Sequence, residues 1–531
     1  MSLATTLSRI LGYGRDMVSA HLFGAGGVSD AFVVAFRLPN LFRDLFAEGA
    51  LSAAFVPALT RERLRGEAGA WALAAHMFNA LAIALGLLVL GGILGARWFL
   101  PVVAPGFSAD PSTFQLALRL TQILFPFIGF MGFAALFMGM LHSHRQFFLP
   151  ALAPAMMNVV MISFGFWVCP RLGPLPEQQI IGWALGALAG GAAQWLIQVP
   201  SAWRAGFRWR WAWPWQHAGV RRVIKAMGPA VLGQSATQVN LVVNTILASM
   251  LAAGSVTYLY YGNRLMQLPL GIFGVAIASA VLPDLAQHHA QAQWGQFRRT
   301  VAYGLKLTLF VTLPAMLGLI LLSLPIHVLL LHGGRFDLEA TRATAWASVA
   351  YTAGVVFAAW VKVLVPAFYA IEKPALPVKV AMATMGLNLG LNLLLWRSLG
   401  YLGLASVASV GMLVQALLLL GLLKGQVGGF WTTQDWADSR RMGLAALSMV
   451  AVLLGAMGVL QALWPGWTVG VDGRAALGLA VFGLIALGML CYGGVAWALG
   501  LGELLPKRFW PRRQAQVAQV AKASDSPYDG A

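Results

Sequence analysis

The chain has 531 residues, of which 59% are hydrophobic and only 10% charged, with a formal net charge of +18. A soluble domain carries about 25% charged residues, so these values exclude an ordinary soluble enzyme and point to a polytopic helical membrane protein. The cations sit in short segments between apolar runs, so no nucleic-acid partner is expected.

Apolar stretches that extend to the ~20 residues of a membrane helix give fourteen expected spans. They are 2–22, 28–59, 73–100, 113–141, 149–169, 178–200, 223–250, 255–285, 300–324, 340–369, 375–396, 401–423, 442–463 and 474–500. With the N-terminus inside, most cations fall in cytoplasmic segments, among them Arg61, Arg63, Arg65, Arg204, Arg208, Arg221, Arg440, Arg441 and Arg512. The outer loops and helix ends hold Arg97, Arg171, Arg335, Arg342, Arg397 and Arg474. That asymmetry predicts both termini in the cytoplasm and an even number of spans. The expected fold class is all-α: two six-helix lobes, 1–203 and 223–424, plus two extra C-terminal helices in 442–500.

In chain order, the first two spans are the anomaly. They carry Arg9, Arg15, Asp16, Asp30, Arg37, Arg43, Asp44 and Glu48. An ionised side chain at mid-bilayer costs about 2.5–3.5 kcal/mol, so these groups must line a wet cavity or pair with one another. Arg9 and Asp16 are seven residues apart and share a helix face, as do Asp30 and Arg37. Pro39 is expected to kink the second span beside this charge. Beyond it Asp44 and Glu48 are spaced i, i+4, with Arg43 expected to point elsewhere on the helix.

The chain then repeats itself. Gly27–Leu59 resembles Ser255–Leu285 at an offset of 226 to 228 residues, with Arg37-Leu38 opposite Arg264-Leu265. A repeat of six spans relates the halves by a pseudo-two-fold along the membrane normal. Between them, the linker 204–222 belongs to a segment interleaving Trp203, Trp209, Trp211, Trp213 and Trp215 with arginines, the composition of an interfacial segment on an anionic leaflet. In the second half Arg264 is the clear intramembrane cation, with Pro269 expected to kink the helix five residues on. Lys306 and Arg119 are free to snorkel or pair, and Lys362 is as consistent with a structural ion pair as with a site. A polar link, 425–441, leads to the last two spans, and the tail 501–531 is expected to be disordered.

No phosphate loop, zinc-protease helix or nucleophile elbow is present. No cofactor and no metal site are expected, and neither Cys169 nor Cys491 has a metal-ligand spacing. The intramembrane arginines remain. Their planar forks bind phosphate or carboxylate at two points and keep their charge, so the expected substrate is anionic, for example a phosphate ester. Salt bridges that only knit helices together are the structural alternative.

These residues also carry a family resemblance. Ser8–Asp16 (SRILGYGRD), Phe23–Gly26 (FGAG) and Ser29–Pro57 (SDAFVVAFRLPNLFRDLFAEGALSAAFVP) resemble the N-terminal signature of the MurJ/MviN family of lipid II flippases. Further matches are Ala104–Phe107, Phe125–Phe127, Gly228–Gly233, Tyr260–Pro269 and Lys362–Tyr369, so the resemblance covers about residues 1–500. It implies a two-lobe exporter around a central cavity, with the two extra helices forming a groove for a polyprenyl tail. The implied substrate is an undecaprenyl-pyrophosphate-linked disaccharide-pentapeptide, moved from the cytoplasmic to the outer leaflet of the inner membrane by alternating access. By position, the family's cavity arginines fall on Arg9, Arg15, Arg43 and Arg264, and their acidic partners on Asp16, Asp30 and Glu48. A monomer is expected, with membrane lipids and cell-wall synthesis enzymes as candidate partners. Without a nucleotide site, the drive is expected to be the membrane potential, an ion gradient or consumption of product. Two departures stand out. Gln267 occupies a place where many relatives carry glutamate, and the chain begins almost at its first span, so either the start is misassigned or that helix is short at the inner face. A flippase of another polyprenyl-linked oligosaccharide or amphipathic anion would share the arginines; a non-transporting scaffold would not need them.

Overall fold

The computed structural model describes residues 2–44, 51–469 and 473–504. Among these residues every long element is a helix. The first half contains α1 (Ser2–Phe23), α2 (Gly27–Phe42), α3 (Ser52–Arg65), α4 (Glu67–Val103), α5 (Pro111–Leu124), α6 (Phe127–Ser143), α7 (Phe148–Trp167), α8 (Pro176–Leu196) and the short α9 (Val199–Arg204). The second contains α10 (Ala218–Ser249), α11 (Ser255–Pro269), α12 (Val275–Ala290), α13 (Trp294–Leu321), α14 (Ser323–Leu330), α15 (Leu338–Thr352), α16 (Val355–Ala370) and α17 (Ala375–Val427). Two more follow, α18 (Thr433–Leu463) and α19 (Arg474–Ala498).

Among the described residues nine helical stretches are long and apolar enough to cross a membrane, or ten if α15 and α16 count as one broken span. The difference from fourteen has local causes. Charge removes α1 from a purely apolar test, and α2, at 16 residues, is too short for it. Within the span expected over 28–59, α2 and α3 are described on either side of residues 45–50, which lie outside the described residues. The spans expected at 375–396 and 401–423 run together as α17, interrupted at Gly400 (φ 58°). The polar link expected at 425–441 is also shorter. Thr432 and Asp435 form a reciprocal capping box that starts α18 at Thr433.

The two expected kinks differ from one another. Pro39 lies inside α2 without ending it; the winding opens into a π-helix at Arg43 and Asp44. Pro269 ends α11, and a π-helical turn follows directly at Leu270–Gly274. Such turns widen a helix and re-aim the side chains on it.

The helices sort into two compact units. One comprises Met1–Leu265, Leu324–Tyr351 and Ala381–Gly411; the other comprises Met266–Ser323, Thr352–Val380 and Met412–Ala531. This division cuts across the expected boundary at 204–222, because α11 and the α14–α15 turn bond to α1 and α2 through the contacts described below. In the first unit, α8 lays Gly186 and Gly190 against α7, where an added Cβ would fall 2.7 Å from Phe164 and 3.0 Å from Met157. Small residues at this spacing let helices approach where no hydrophobic effect drives them together. The Trp-rich linker is pinned by buried Asn79 of α4. Its amide donates to the carbonyls of Arg210 (3.1 Å) and Ala212 (3.0 Å) and accepts from Trp209 Nε1 (3.0 Å). Trp203, Trp209, Trp211 and Trp213 remain exposed.

In the second unit, Lys306 of α13 pairs with both Asp435 (2.6 Å) and Asp438 (3.0 Å) near the start of α18. All three are nearly buried. α18 is therefore fixed to α13 by charge at its start. Along α19, Leu479, Phe482, Met489 and Leu490 are exposed. An exposed apolar row of this kind marks a surface that faces lipid or another apolar partner.

Candidate functional site

The charged part of α1 meets α11 at a single carboxylate. Arg15 folds back on its neighbour, its Nε and Nη2 lying 3.0 and 2.6 Å from Asp16 Oδ1. The other oxygen, Oδ2, accepts from Arg264 Nε at 2.9 Å. Asp16 thus lies between two guanidiniums, and the trio keeps one net positive charge. Asp16 is 6% exposed and Arg15 11%, whereas Arg264 is 34% exposed and reachable from outside the cluster. Tyrosines frame it. Tyr13 donates its hydroxyl to the Arg264 carbonyl (3.0 Å), and its ring lies 5.8 Å from the Arg264 guanidinium carbon. Tyr260 approaches Arg15 Nη2 at 3.5 Å. Gly12 makes the room: a Cβ there would lie 3.1 Å from Arg264 Nη2. A cavity of about 20 Å³ borders Asp16 and Arg264, lined also by Met17, His327 and Leu331.

The other expected site residues are distributed as follows. Arg43, expected to point away from Asp44, instead grips it, with Nε at 3.1 Å and Nη2 at 2.9 Å from Oδ1. The side chain is long enough to curl back across one residue, as Arg15 does. Gln238 of α10 reaches Asp44 Oδ2 at 3.4 Å. Asp30 is buried at the start of α2 and serves the N-terminus of α11. It accepts from Gly254 N (2.7 Å), Thr257 N (2.8 Å) and Thr257 Oγ1 (2.6 Å). A carboxylate on otherwise unpaired helix N–H groups is a strong cap. Arg37, on the face that spacing assigned to Asp30, donates instead to Thr245 Oγ1 (3.1 Å). Arg9 lies exposed near the start of α1, Lys362 and Gln267 are exposed, and Glu48 falls outside the described residues.

The structure therefore brings Arg15, Asp16 and Arg264 together, and sets Arg43–Asp44 as a second pair of the same design. Tyr13, Tyr260, Gln238 and Thr245 were missed in the sequence, because an uncharged polar residue on an apolar helix gives no signal until its partner is known. Guanidinium forks oriented in this way have the chemistry to pair with an anion in place of the carboxylate. A phosphate that displaces the carboxylate finds guanidinium forks already oriented.

Comparison with known proteins agrees with this chemistry. The family described as "Lipid II flippase MurJ" matches residues 19–472. The "Probable lipid II flippase MurJ" of Vibrio cholerae serotype O1 is 35% identical over 512 residues, covering 94% of this chain and 95% of that protein. The "Lipid II flippase MurJ" of Burkholderia cenocepacia is 34% identical over 504 residues, covering 93% and 95%. Among solved structures, "Lipid II flippase MurJ, inward closed conformation" superposes with a TM-score of 0.77 at 25% identity, covering 93% of this chain and 97% of that one. An inward-facing multidrug resistance MATE family transporter shares the fold at a TM-score of 0.67 and 15% identity, covering 81% and 96%. This chain belongs to the lipid II flippase MurJ family.

Proposed function

We propose that this protein carries lipid II from the cytoplasmic to the outer leaflet of the bacterial inner membrane, with both its termini in the cytoplasm. The observation that carries the site assignment is Asp16 held between Arg15 and Arg264. At rest the carboxylate keeps the guanidiniums oriented and the buried charge compensated. When lipid II enters, its pyrophosphate takes the forks of Arg264 and Arg15, with Arg43 released from Asp44 as a third cation and Arg9, Asp30 and Glu48 completing the set by position in the family. The polyprenyl tail lies along α18 and α19, in keeping with their exposed apolar side chains.

The cavity beside the cluster is far smaller than a disaccharide-pentapeptide, so transport requires a conformational cycle. Alternating access by two six-span lobes, fourteen spans in all with the last pair, meets that need. The π-helical winding at Arg43–Asp44 and at Leu270–Gly274 supports the relation between the halves, since these positions correspond at the offset of the sequence repeat. The drive is the membrane potential or an ion gradient, with no cofactor. One charge crossing 100 mV supplies about 2.3 kcal/mol.

The test is outer-leaflet exposure of lipid II in cells depleted of the protein and re-supplied with it, read by an added enzyme that cleaves only outward-facing lipid II. Exposure should return with wild type and not with Arg15→Ala, Arg43→Ala or Arg264→Ala at equal membrane abundance. Full exposure with all three variants would refute the site. Exposure unchanged on depletion, with no second flippase present, would refute the substrate.

A further inference from the structure

The end of α1 beyond the site is held by a different part of the chain. The last four carbonyls of a helix have no partner within it. Here each has one. Ala20 O accepts from Gly24 N at 2.8 Å, and Phe23 O from Ser29 Oγ at 3.2 Å. The two between them are taken by the turn joining α14 to α15. Arg335 N donates to His21 O at 3.0 Å, and Arg335 Nη1 to Leu22 O at 3.2 Å. The same guanidinium donates through Nη2 to Pro174 O (3.0 Å), in the loop after α7. One arginine therefore ties two separate stretches of the first half to the turn.

The fit is tight on both sides and uses glycine on both. Gly24 has φ +67°, and a Cβ on it would lie 2.4 Å from Arg335 O. Gly334 has φ +57°, and a Cβ on it would lie 2.3 Å from His21 O. The turn is seated by Phe336, fully buried and 5.9 Å from the Tyr261 ring. Arg335 itself is exposed. Water can take over its carbonyls when the turn leaves, so the contact is positioned to be made and broken.

From this geometry we infer that the turn His332–Phe336 is a latch on the outer end of α1, and that Arg335 is a positioning residue for transport, holding the outer side closed until α1 is released. The inference rests on the flippase reading with its N-terminus inside, which puts this end of α1 outside.

The test measures opening without reference to lipid II. In a background with Cys169→Ser and Cys491→Ser, Met17→Cys, a partly buried position, reports on the cavity beside Asp16, and a membrane-impermeant maleimide is added to the outside of whole cells. Arg335→Ala removes the guanidinium. Gly334→Ala drives a methyl against His21 O while leaving the arginine in place. A minor open state enriched by either change should raise the labelling rate about threefold or more, with Arg335→Lys in between. Monomeric elution in detergent, equal to that of the parent, establishes that each variant is folded. Parental labelling rates in folded Arg335→Ala and Gly334→Ala would overturn the latch. So would labelling that occurs only from the cytoplasmic side. Raised labelling from outside, in a protein that moves no lipid II, would sustain the latch and overturn the cargo assignment instead.

Discussion

Asp16→Asn is the perturbation that bears most directly on the arginine cluster. It keeps the size of the side chain and removes the charge that two guanidiniums share. At the observed 2.6 and 2.9 Å, with an effective dielectric constant near 20, each attraction is roughly 6 kcal/mol before desolvation. Burying the ions cancels several kcal/mol of that. The Arg15 pair is almost enclosed, so about 2–3 kcal/mol of net coupling remains for it. Arg264 is a third exposed, and solvent reduces its share to about 1 kcal/mol. Asp16→Asn should therefore destabilise the protein by about 3 kcal/mol, the two guanidiniums now facing each other across an amide. Unfolding free energies from detergent titration in mixed micelles measure this, in the wild-type background and with Arg264→Gln. The cycle should yield a coupling of about 1 kcal/mol between positions 16 and 264. If the two changes add to within about 0.3 kcal/mol, Asp16 and Arg264 are independent and the exchange mechanism loses its basis.

Asp30→Ala should cost about 1–2 kcal/mol, as loss of a three-donor cap on α11, and Asp30→Asn less; the same detergent titration reads both, and equal costs would show that the charge, lost in both variants, carries the whole effect. Lys306→Met should cost about 3–5 kcal/mol by stranding Asp435 and Asp438, and adding Asp435→Asn and Asp438→Asn should restore most of it; thermal unfolding decides, and no recovery in the triple variant would mean that the lysine acts by packing alone. Asp110, at the start of α5, has its carboxyl held down to about 2 from an ordinary 3.8, by hydroxyl donation from Thr113 first and then Ser112. A depressed acid stabilises fully above its unfolded value and loses that contribution as pH falls through the folded one. The unfolding midpoint of wild type should thus exceed that of Asp110→Asn by a constant amount above about pH 4, with the gap closing towards pH 2; a gap that ignores pH would show the cap to be neutral.

The class of fold was legible because lipid imposes a simple rule. Long apolar stretches must be helices, and their boundaries fall within a few residues of expectation in α4, α13 and α19. The meeting of Arg15, Asp16 and Arg264 was legible in part, because a charged group inside an apolar span must find a partner or a wet cavity. Its partners were less so. Side-chain reach defeats helix-face arithmetic when Arg15 and Arg43 curl back on the very next residue. Asp30 carried a misleading signal, since seven-residue spacing to Arg37 says nothing about the end of a helix 224 residues away. The link 425–441 looked like a loop because Asp435, Asp438 and Arg441 are polar; only a lysine on α13 turns two of them into interior residues.

α1 is the element on which these contacts converge. Its middle is tied to α11 through Asp16 and Arg264, and its end to the α14–α15 turn through Arg335. A ligand shifts a conformational equilibrium only by the difference in its affinity for the two states. A pyrophosphate that bound the arginines without disturbing Asp16 would stabilise the closed arrangement and halt transport. One that takes Arg264 away from Asp16 removes the ion pair between α1 and α11 in the act of binding, and favours the state in which those helices separate wherever its own contacts to Arg15 and Arg264 hold them less tightly. The size of that bias cannot exceed the coupling it abolishes. At about 1 kcal/mol it is roughly a fivefold shift, sufficient to bias a cycle whose two states lie close in energy and insufficient to drive one that is steeply uphill. In the proposed transport cycle the carboxylate links cargo to gate and the membrane supplies the net work, and the double-mutant cycle between positions 16 and 264 measures how strong that link is.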